Sequence, residues 1–94
     1  MKTPEDILEE NGYSIDELEE SKTMLFRNPD FTSAIIVVDN DNRVIYDYYK
    51  MLEFLINEEG MSEEEAADFI SYDTLRALSY MPGNKPIVMF SFID

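Results

Sequence analysis

The middle of the chain changes its hydrophobic period twice, and this constrains the fold more than any other stretch. An uninterrupted apolar run, Ala34–Val38, is followed by the polar loop Asp39–Asn42 and by a second β-prone run, Arg43–Tyr46. From Tyr48 onwards the apolar residues recur at helical spacing. These residues therefore predict a β-hairpin that leads directly into a helix, with Asp47 as the N-cap of that helix.

Two short helices are predicted before the hairpin. Thr3 is suited to cap the first, because Pro4 follows at the first helical position and acidic residues fill the first turn. Ser14 opens a capping box that predicts a second helix extending to about Lys22. Neither helix is long enough to be stable alone in water, so both must dock on the rest of the chain.

A helical pair is predicted after the hairpin. The first helix should end near Glu59, with Gly60 in the left-handed conformation that terminates helices. Ser62 then opens another capping box, followed by an apolar stripe at helical spacing. The pattern leaves open whether Tyr72–Thr74 continues this helix or breaks it.

The last predicted strand covers 87–93, after a turn at Pro82–Gly83 that is typical of type II. The chain is thus predicted to be a small α+β fold, in the order α-α-β-β-α-α-β. A three-stranded sheet, the hairpin plus the C-terminal strand, carries the helical pair on one face. We expect a single domain over residues 1–94, made of an N-terminal helical segment (1–24) and a sheet-and-helix core (31–94).

The first and last strands are apolar at nearly every position, which indicates that both faces of the sheet are covered. The N-terminal helices could cover the second face, or a second copy of the chain could. We favour the helices for the monomer, and a homodimer remains a possible arrangement.

The charge is separated along the chain. Of the net −14, residues 1–20 contribute −7 and residues 51–73 contribute −8, whereas residues 21–50 are neutral and residues 74–94 carry +1. Such a surface would repel nucleic acid and anionic membranes and would attract a basic partner. The alternative is that the acidic helices only keep a small protein soluble.

The sequence contains no cysteine and no histidine, which excludes thiol nucleophiles, histidine bases and the usual zinc sites. Its glycines, Gly12, Gly60 and Gly83, lie far apart and form no phosphate-binding loop. We therefore expect no enzymatic activity and no cofactor. No apolar run approaches the roughly 20 residues of a membrane span, and no secretory signal is apparent, so a cytoplasmic protein is expected.

Two local features resemble functional sites but have simpler interpretations. The loop Asp39–Asn42 begins like a calcium-binding loop, yet Val44 stands at its sixth position and Lys50 at its twelfth, so a turn is expected. A magnesium site made of Asp39, Asp41 and Asp47 lacks a lysine or histidine paired with them in a recognisable pattern. Arg76 is expected to be a structural partner of nearby carboxylates, Asp73 or Glu65.

Several short motifs occur in order between residues 31 and 90. They are Phe31, Ala34–Ile36, Arg43–Tyr48, Met51 and Leu55, Gly60–Ala66, Phe69–Tyr72, Arg76–Leu78 and Pro86–Met89. In these motifs the chain resembles a family of small acidic proteins found in bacteriophages, prophages and other mobile elements. The resemblance implies a genomic setting rather than an activity.

Charge and setting together suggest a non-enzymatic inhibitor, similar to anti-CRISPR proteins. Its acidic helices would imitate phosphates and occupy the basic groove of a nucleic-acid-binding host defence protein. The residues expected to bind that partner are Glu53, Glu58, Glu59, Glu63, Glu64 and Asp68. One alternative is an oligomerising structural or accessory protein that uses the apolar sheet face, and a second is a small nucleotide-binding protein.

Overall fold

The computed structural model of the protein describes residues 2–90. The helices are α1 (Pro4–Glu10), α2 (Ile15–Glu20), α3 (Tyr48–Glu58), α4 (Glu63–Phe69) and α5 (Leu75–Ala77), and the strands are β1 (Ile35–Val38), β2 (Val44–Asp47) and β3 (Ile87–Met89). A π-helical turn joins α4 to α5, so the two act as one bent helical segment. With these counted together, the α+β class and the order α-α-β-β-α-α-β are confirmed.

The caps predicted at Thr3, Asp47 and Ser62 form the expected local hydrogen bonds. At Ser14 the hydroxyl accepts from the Glu17 N–H, at 3.3 Å, but the return bond of the predicted capping box is missing. The Thr3 hydroxyl accepts from the backbone N–H of Asp6, at 3.1 Å, and the Asp6 carboxylate accepts in return from the Thr3 backbone. Asp47 caps α3 by accepting from two backbone N–H groups of its first turn, at 2.8 and 3.2 Å. Gly60 follows α3 with a φ of +72°, as a left-handed terminator requires.

The sheet has β2 at its centre, antiparallel to β1 and parallel to β3. A parallel connection needs a long crossover, and the helices α3 to α5 provide it. They pack against the sheet from one side, as predicted. β1 starts at Ile35, one residue later than predicted, because Ala34 belongs to a short 3₁₀ turn. A bulge at Ile36 interrupts the pairing of β1 with β2.

Tyr46 lies at the centre of the core and is completely buried. Its ring packs on that of Phe26, with 4.7 Å between centroids, and its hydroxyl oxygen accepts a hydrogen bond from the Phe26 backbone N–H. Burial raises the pKa of Tyr46 to about 12. The other buried apolar side chains of this core are Leu8, Leu18, Phe31, Ala34, Val44, Met51, Leu55, Ala66 and Ile70.

The expectation that the N-terminal helices cover the second face of the sheet is wrong. Leu8 of α1 and Leu18 of α2 join the same core as Tyr46. On the opposite face, Val37 and Met89 remain 38% and 41% exposed. The turn between α1 and α2 reaches only the edge of the sheet, where the Tyr13 hydroxyl accepts from the backbone N–H of Val38.

The segment before β3 also differs from the prediction. Gly83 lacks the positive φ that a type II turn requires, so that turn type is wrong. The glycine is needed for a different reason, since a Cβ at this position would collide with the backbone carbonyl of Lys22. Lys22 itself is left-handed, with a φ of +57°, and α2 accordingly ends at Glu20 instead of Lys22.

Asn84 forms backbone hydrogen bonds with the residues on both sides of this contact. Its N–H donates to the carbonyl of Lys22, and its carbonyl accepts from the N–H of Met24, both at 2.8 Å. This pairing ties the end of the N-terminal segment to the entrance of β3. The predicted continuation of that strand over 91–93 lies outside the described residues.

The π-helical turn at Ile70–Thr74 resolves the point that the sequence left open. The helix neither stops nor continues regularly at Tyr72–Thr74, because one wider turn is inserted. The turn buries Ile70 and Thr74 and leaves Tyr72 exposed. Within residues 2–90, Arg76 forms no ion pair with Asp73 or Glu65, so the structural role expected for this arginine is wrong.

Candidate protein-binding surface

The six carboxylates expected to bind a partner lie on α3, on α4 and on the short loop between them. The loop is built tightly, because the N–H groups of Glu59 and Met61 both donate to the carbonyl of Leu55, at 3.2 and 3.1 Å. Gly60 reverses the chain between these two bonds. The end of α3 and the start of α4 are therefore held close together, and their acids share one surface. All six residues are exposed: Glu53, Glu58, Glu59, Glu63, Glu64 and Asp68.

Glu65 is the acid in this region that the fold uses for itself. Its carboxylate accepts from the Ser62 backbone N–H, at 2.9 Å, while the Ser62 hydroxyl accepts from the Glu65 N–H, at 3.1 Å. This reciprocal capping box lowers the pKa of Glu65, because the backbone N–H and the hydroxyl of Ser62 hydrogen-bond to it. The neighbouring Glu63 and Glu64 accept no side-chain hydrogen bond within residues 2–90.

None of the six carboxylates is neutralised by a cation in the described part of the chain. The ion pairs found there join Lys2 to Glu10, Arg27 to Glu5 and Arg43 to Asp39. We call the surface formed by Glu58, Glu59, Glu63, Glu64 and Asp68 the acidic surface. Glu53 lies earlier in α3, in a shallow recess that is lined by Lys50 and also by Glu58, and is left out of this surface.

Helix polarity separates the acids that stabilise the fold from those that do not. Glu63 and Glu64 occupy the first turn of α4, where negative charge is favourable. Glu58 and Glu59 stand at the C-terminal end of α3, which has no basic residue in its last turn and where negative charge is unfavourable. Local helix stability therefore explains the first pair and leaves the second pair unexplained.

An open groove of about 950 Å³ runs beside Glu58 and Glu59. Its apolar lining includes Phe54, Met61 and Phe69, all of them half-buried. The opposite wall is the loop that contains Arg27 through Asp30. The groove thus combines apolar contact area with two unpaired carboxylates on its rim.

Arg27 is the cation on the far wall of the groove, and it is already paired. Its guanidinium donates to the Glu5 carboxylate at 2.6 Å. The pair lowers the pKa of Glu5 and raises that of Arg27, chiefly through this hydrogen bond. With Arg27 matched by Glu5, the groove keeps the negative charge of Glu58 and Glu59.

The N-terminal acidic segment is less available than the acidic surface. Three of its acids have structural partners: Glu5 with Arg27, Asp6 with the backbone of Thr3, and Glu10 with Lys2. The exposed acids of this segment that form no ion pair or side-chain hydrogen bond within residues 2–90 are Glu9, Asp16, Glu17, Glu19 and Glu20. They provide a natural control for effects of charge alone.

The groove was not predicted from the sequence. Phe54 and Phe69 fall on the inner stripes of their helices, and nothing in the spacing indicates that a loop from residues 27–30 stops short of covering them. The half-exposure of an aromatic residue depends on a contact that is distant in sequence. The charge pattern predicts the acidic residues on the rim. It does not indicate that a groove lies beside them.

The turn at Asp39 is built by its own hydrogen bonds. The Asp39 carboxylate accepts from the backbone N–H groups of Asp41 and Arg43, both at 2.9 Å. These bonds lower the pKa of Asp39. Within residues 2–90, no group of three or more acidic, cysteine or histidine side chains is arranged to hold a metal ion.

No protein-family model, curated protein or solved structure matches this chain. In the described part of the chain, every helix is too short or too polar to cross a membrane.

Proposed function

We propose that this protein is a non-enzymatic binding protein that captures a basic, nucleic-acid-binding protein through the acidic surface and the adjoining groove. The observation that carries the proposal is the exposure of Glu58 and Glu59, which form no ion pair within residues 2–90 and stand at the unfavourable end of a helix. Charges that cost folding stability and have no partner in the molecule are candidates for a partner outside it.

The physical mechanism is imitation of a phosphate backbone. Closely spaced carboxylates attract lysine and arginine side chains, which accelerates association and makes it sensitive to salt. The groove adds apolar contact area around Phe54 and Phe69, and this area would stabilise the bound state after electrostatic encounter. A partner bound in this way could not hold nucleic acid on the same basic surface.

The resemblance to proteins of mobile elements suggests the setting. In a host cytoplasm, the proposed partner is a nucleic-acid-binding component of a defence complex, and binding would inhibit it as anti-CRISPR proteins do. Homodimerisation is a separate question, because it concerns another surface.

The test is capture of partners from a bacterial host lysate with purified full-length protein, at about 0.1 M and about 0.5 M salt. The test variant replaces Glu58, Glu59, Glu63 and Glu64 by glutamine. The matched control replaces Glu9, Glu17, Glu19 and Glu20 by glutamine, so that the change in net charge is the same.

We expect a basic partner that the wild type and the control variant capture at low salt, that the test variant loses, and that duplex DNA displaces. If both variants lose the partner equally, the effect comes from total charge and the acidic surface has no specific role. Capture by the test variant at the wild-type level would contradict the proposal directly.

A further inference from the structure

The outer face of the sheet is an apolar surface that no segment within residues 2–90 covers. Side chains along β2 alternate, so Val44 and Tyr46 enter the core while Ile45 points to the other side. The register pairs Ile45 with Val37 of β1 and with Ile87 of β3. We call the set formed by Val37, Ile45, Ile87 and Met89 the outer face.

These residues are separate from the core. Val37 and Met89 are 38% and 41% exposed. Ile45 and Ile87 are half-buried by their neighbours in the sheet, yet they do not pack against the core cluster. Ile36, at the bulge, is also exposed, at 44%. A continuous apolar surface of this kind marks an interaction site more often than scattered exposed residues do.

We infer that the outer face is the contact surface for a second copy of this chain. Its charge favours this occupant, because the strands carry a single charged residue, Asp47, although the protein has a net charge of −14. The acidic surface belongs to α3 and α4, which pack against the opposite side of the sheet. Two copies can therefore meet face to face without bringing their acidic surfaces together.

The ends of the outer face are complementary under twofold symmetry. Lys85 precedes Ile87 by two residues and lies towards one end, beside Arg43, whose charge is already paired with Asp39. Asp47 lies at the other end. If two copies pack with antiparallel strands, Lys85 of each copy lies towards Asp47 of the other, as an isologous interface requires.

Pairing along the edge of β1, one of the two edge strands of the sheet, is disfavoured. The backbone N–H of Val38 is taken by the Tyr13 hydroxyl, at 3.3 Å, and the bulge at Ile36 interrupts the regular edge. Both features are known obstacles to strand addition. A face-to-face contact does not need free backbone groups.

The size of the face determines how strong the dimer is. Three strands about 4.8 Å apart, with about 3.3 Å per residue along each strand, span roughly 14 Å on a side. This corresponds to a few hundred Å² per copy, which is less than the roughly 800 Å² of a standard interface. We therefore expect a reversible dimer that dissociates on dilution.

Sedimentation equilibrium of the full-length chain, from about 10 μM to about 1 mM, tests the inference. We expect a monomer–dimer equilibrium that salt strengthens, because screening reduces repulsion between two copies of charge −14. Val37→Lys and Met89→Lys should each weaken association by at least about tenfold. Tyr72→Lys replaces another exposed apolar residue, away from the sheet, and should leave association unchanged.

A second variant guards against loss of folding. Val37→Thr keeps the shape and the strand preference of valine, and it should weaken the dimer with an unchanged far-ultraviolet circular dichroism spectrum. A chain that stays monomeric over the whole range would overturn the inference. A dimer that Val37→Lys and Val37→Thr leave intact, or that Tyr72→Lys weakens equally, would overturn it as well.

Discussion

The outer face of the sheet and the acidic surface are both exposed within residues 2–90, and they contrast in chemistry. The outer face is apolar and has one charged residue within its strands, whereas the acidic surface presents five carboxylates. Each surface contains a residue that can be compared with a residue of the same type that stabilises the fold. Val37 contrasts with Val44 across the sheet, and Glu64 contrasts with Glu65 in α4. The same residue type is thus structural at one position and available at the other.

The largest expected effect compares the two valines. Val44→Ala removes two methyl groups from a completely buried site, and we expect it to lower the free energy of unfolding by about 2 kcal/mol. Val37→Ala, the same change at a site 38% exposed, should cost less than about 1 kcal/mol. Urea denaturation monitored by circular dichroism measures both. Equal losses would mean that the outer face is buried after all.

The second prediction concerns the core side of the sheet, where Tyr46 should make the stability depend on pH. Its folded pKa of about 12 lies above the ordinary value of 10.0, so the fold favours the neutral phenol. The stabilisation is complete below pH 10 and is lost as the pH rises towards 12. By pH 11 the wild type should lose about 1–1.5 kcal/mol through this group.

Tyr46→Phe is the matched variant, because it cannot ionise. At neutral pH it should be less stable by about 1 kcal/mol or more, since the Phe26 N–H loses its buried acceptor. Above pH 10 this difference should shrink. Denaturation curves between pH 7 and 11 measure it, with Tyr72→Phe, at an exposed site, as the control for removal of a hydroxyl. A constant difference across that range would show that Tyr46 ionises freely.

The smallest expected effect separates the two neighbouring glutamates. Ser62→Ala should cost about 1 kcal/mol by removing the N-cap of α4. Glu65→Ala should also destabilise, but only above the ordinary glutamate pKa of 4.5, because the stabilisation is lost as the pH falls through the lowered folded pKa. Glu64→Ala is the control and should show no comparable change in its stability relative to wild type between pH 7 and pH 3. Identical pH profiles for the two variants would contradict a special role for Glu65.

The features that the sequence predicted correctly are those formed within a few residues. Asp47, Ser62 and Gly60 each act on backbone groups no more than five residues away, so their residue types identify the caps and stops. The hairpin follows in the same way from the polar loop between two apolar runs. The concentration of charge on the helices is likewise a property of the sequence alone.

Most of the errors and of the features that the sequence left open concern contacts between distant segments, although the expected pairing of Arg76 with Asp73 or Glu65 was a local error. The sequence suggested type II geometry at Gly83 because Pro-Gly is common in such turns, but the close approach of the Lys22 carbonyl decides its conformation. The π-helical turn after Phe69 buries Ile70 and Thr74, and no local pattern indicated the extra residue. The groove beside Glu58 likewise depends on where the loop of Arg27 packs.

The sequence by itself determined the order of elements, the caps of the helices and the segregation of negative charge. The caps could be predicted because each depends on a side chain acting on nearby backbone. The tertiary structure decided that β2 is central, that β3 pairs with it in parallel, and that the N-terminal helices join the core on the same side as α3 and α4. A strand with apolar residues on both faces can turn either face towards the core. Which face becomes core is therefore decided only when distant segments compete to cover it.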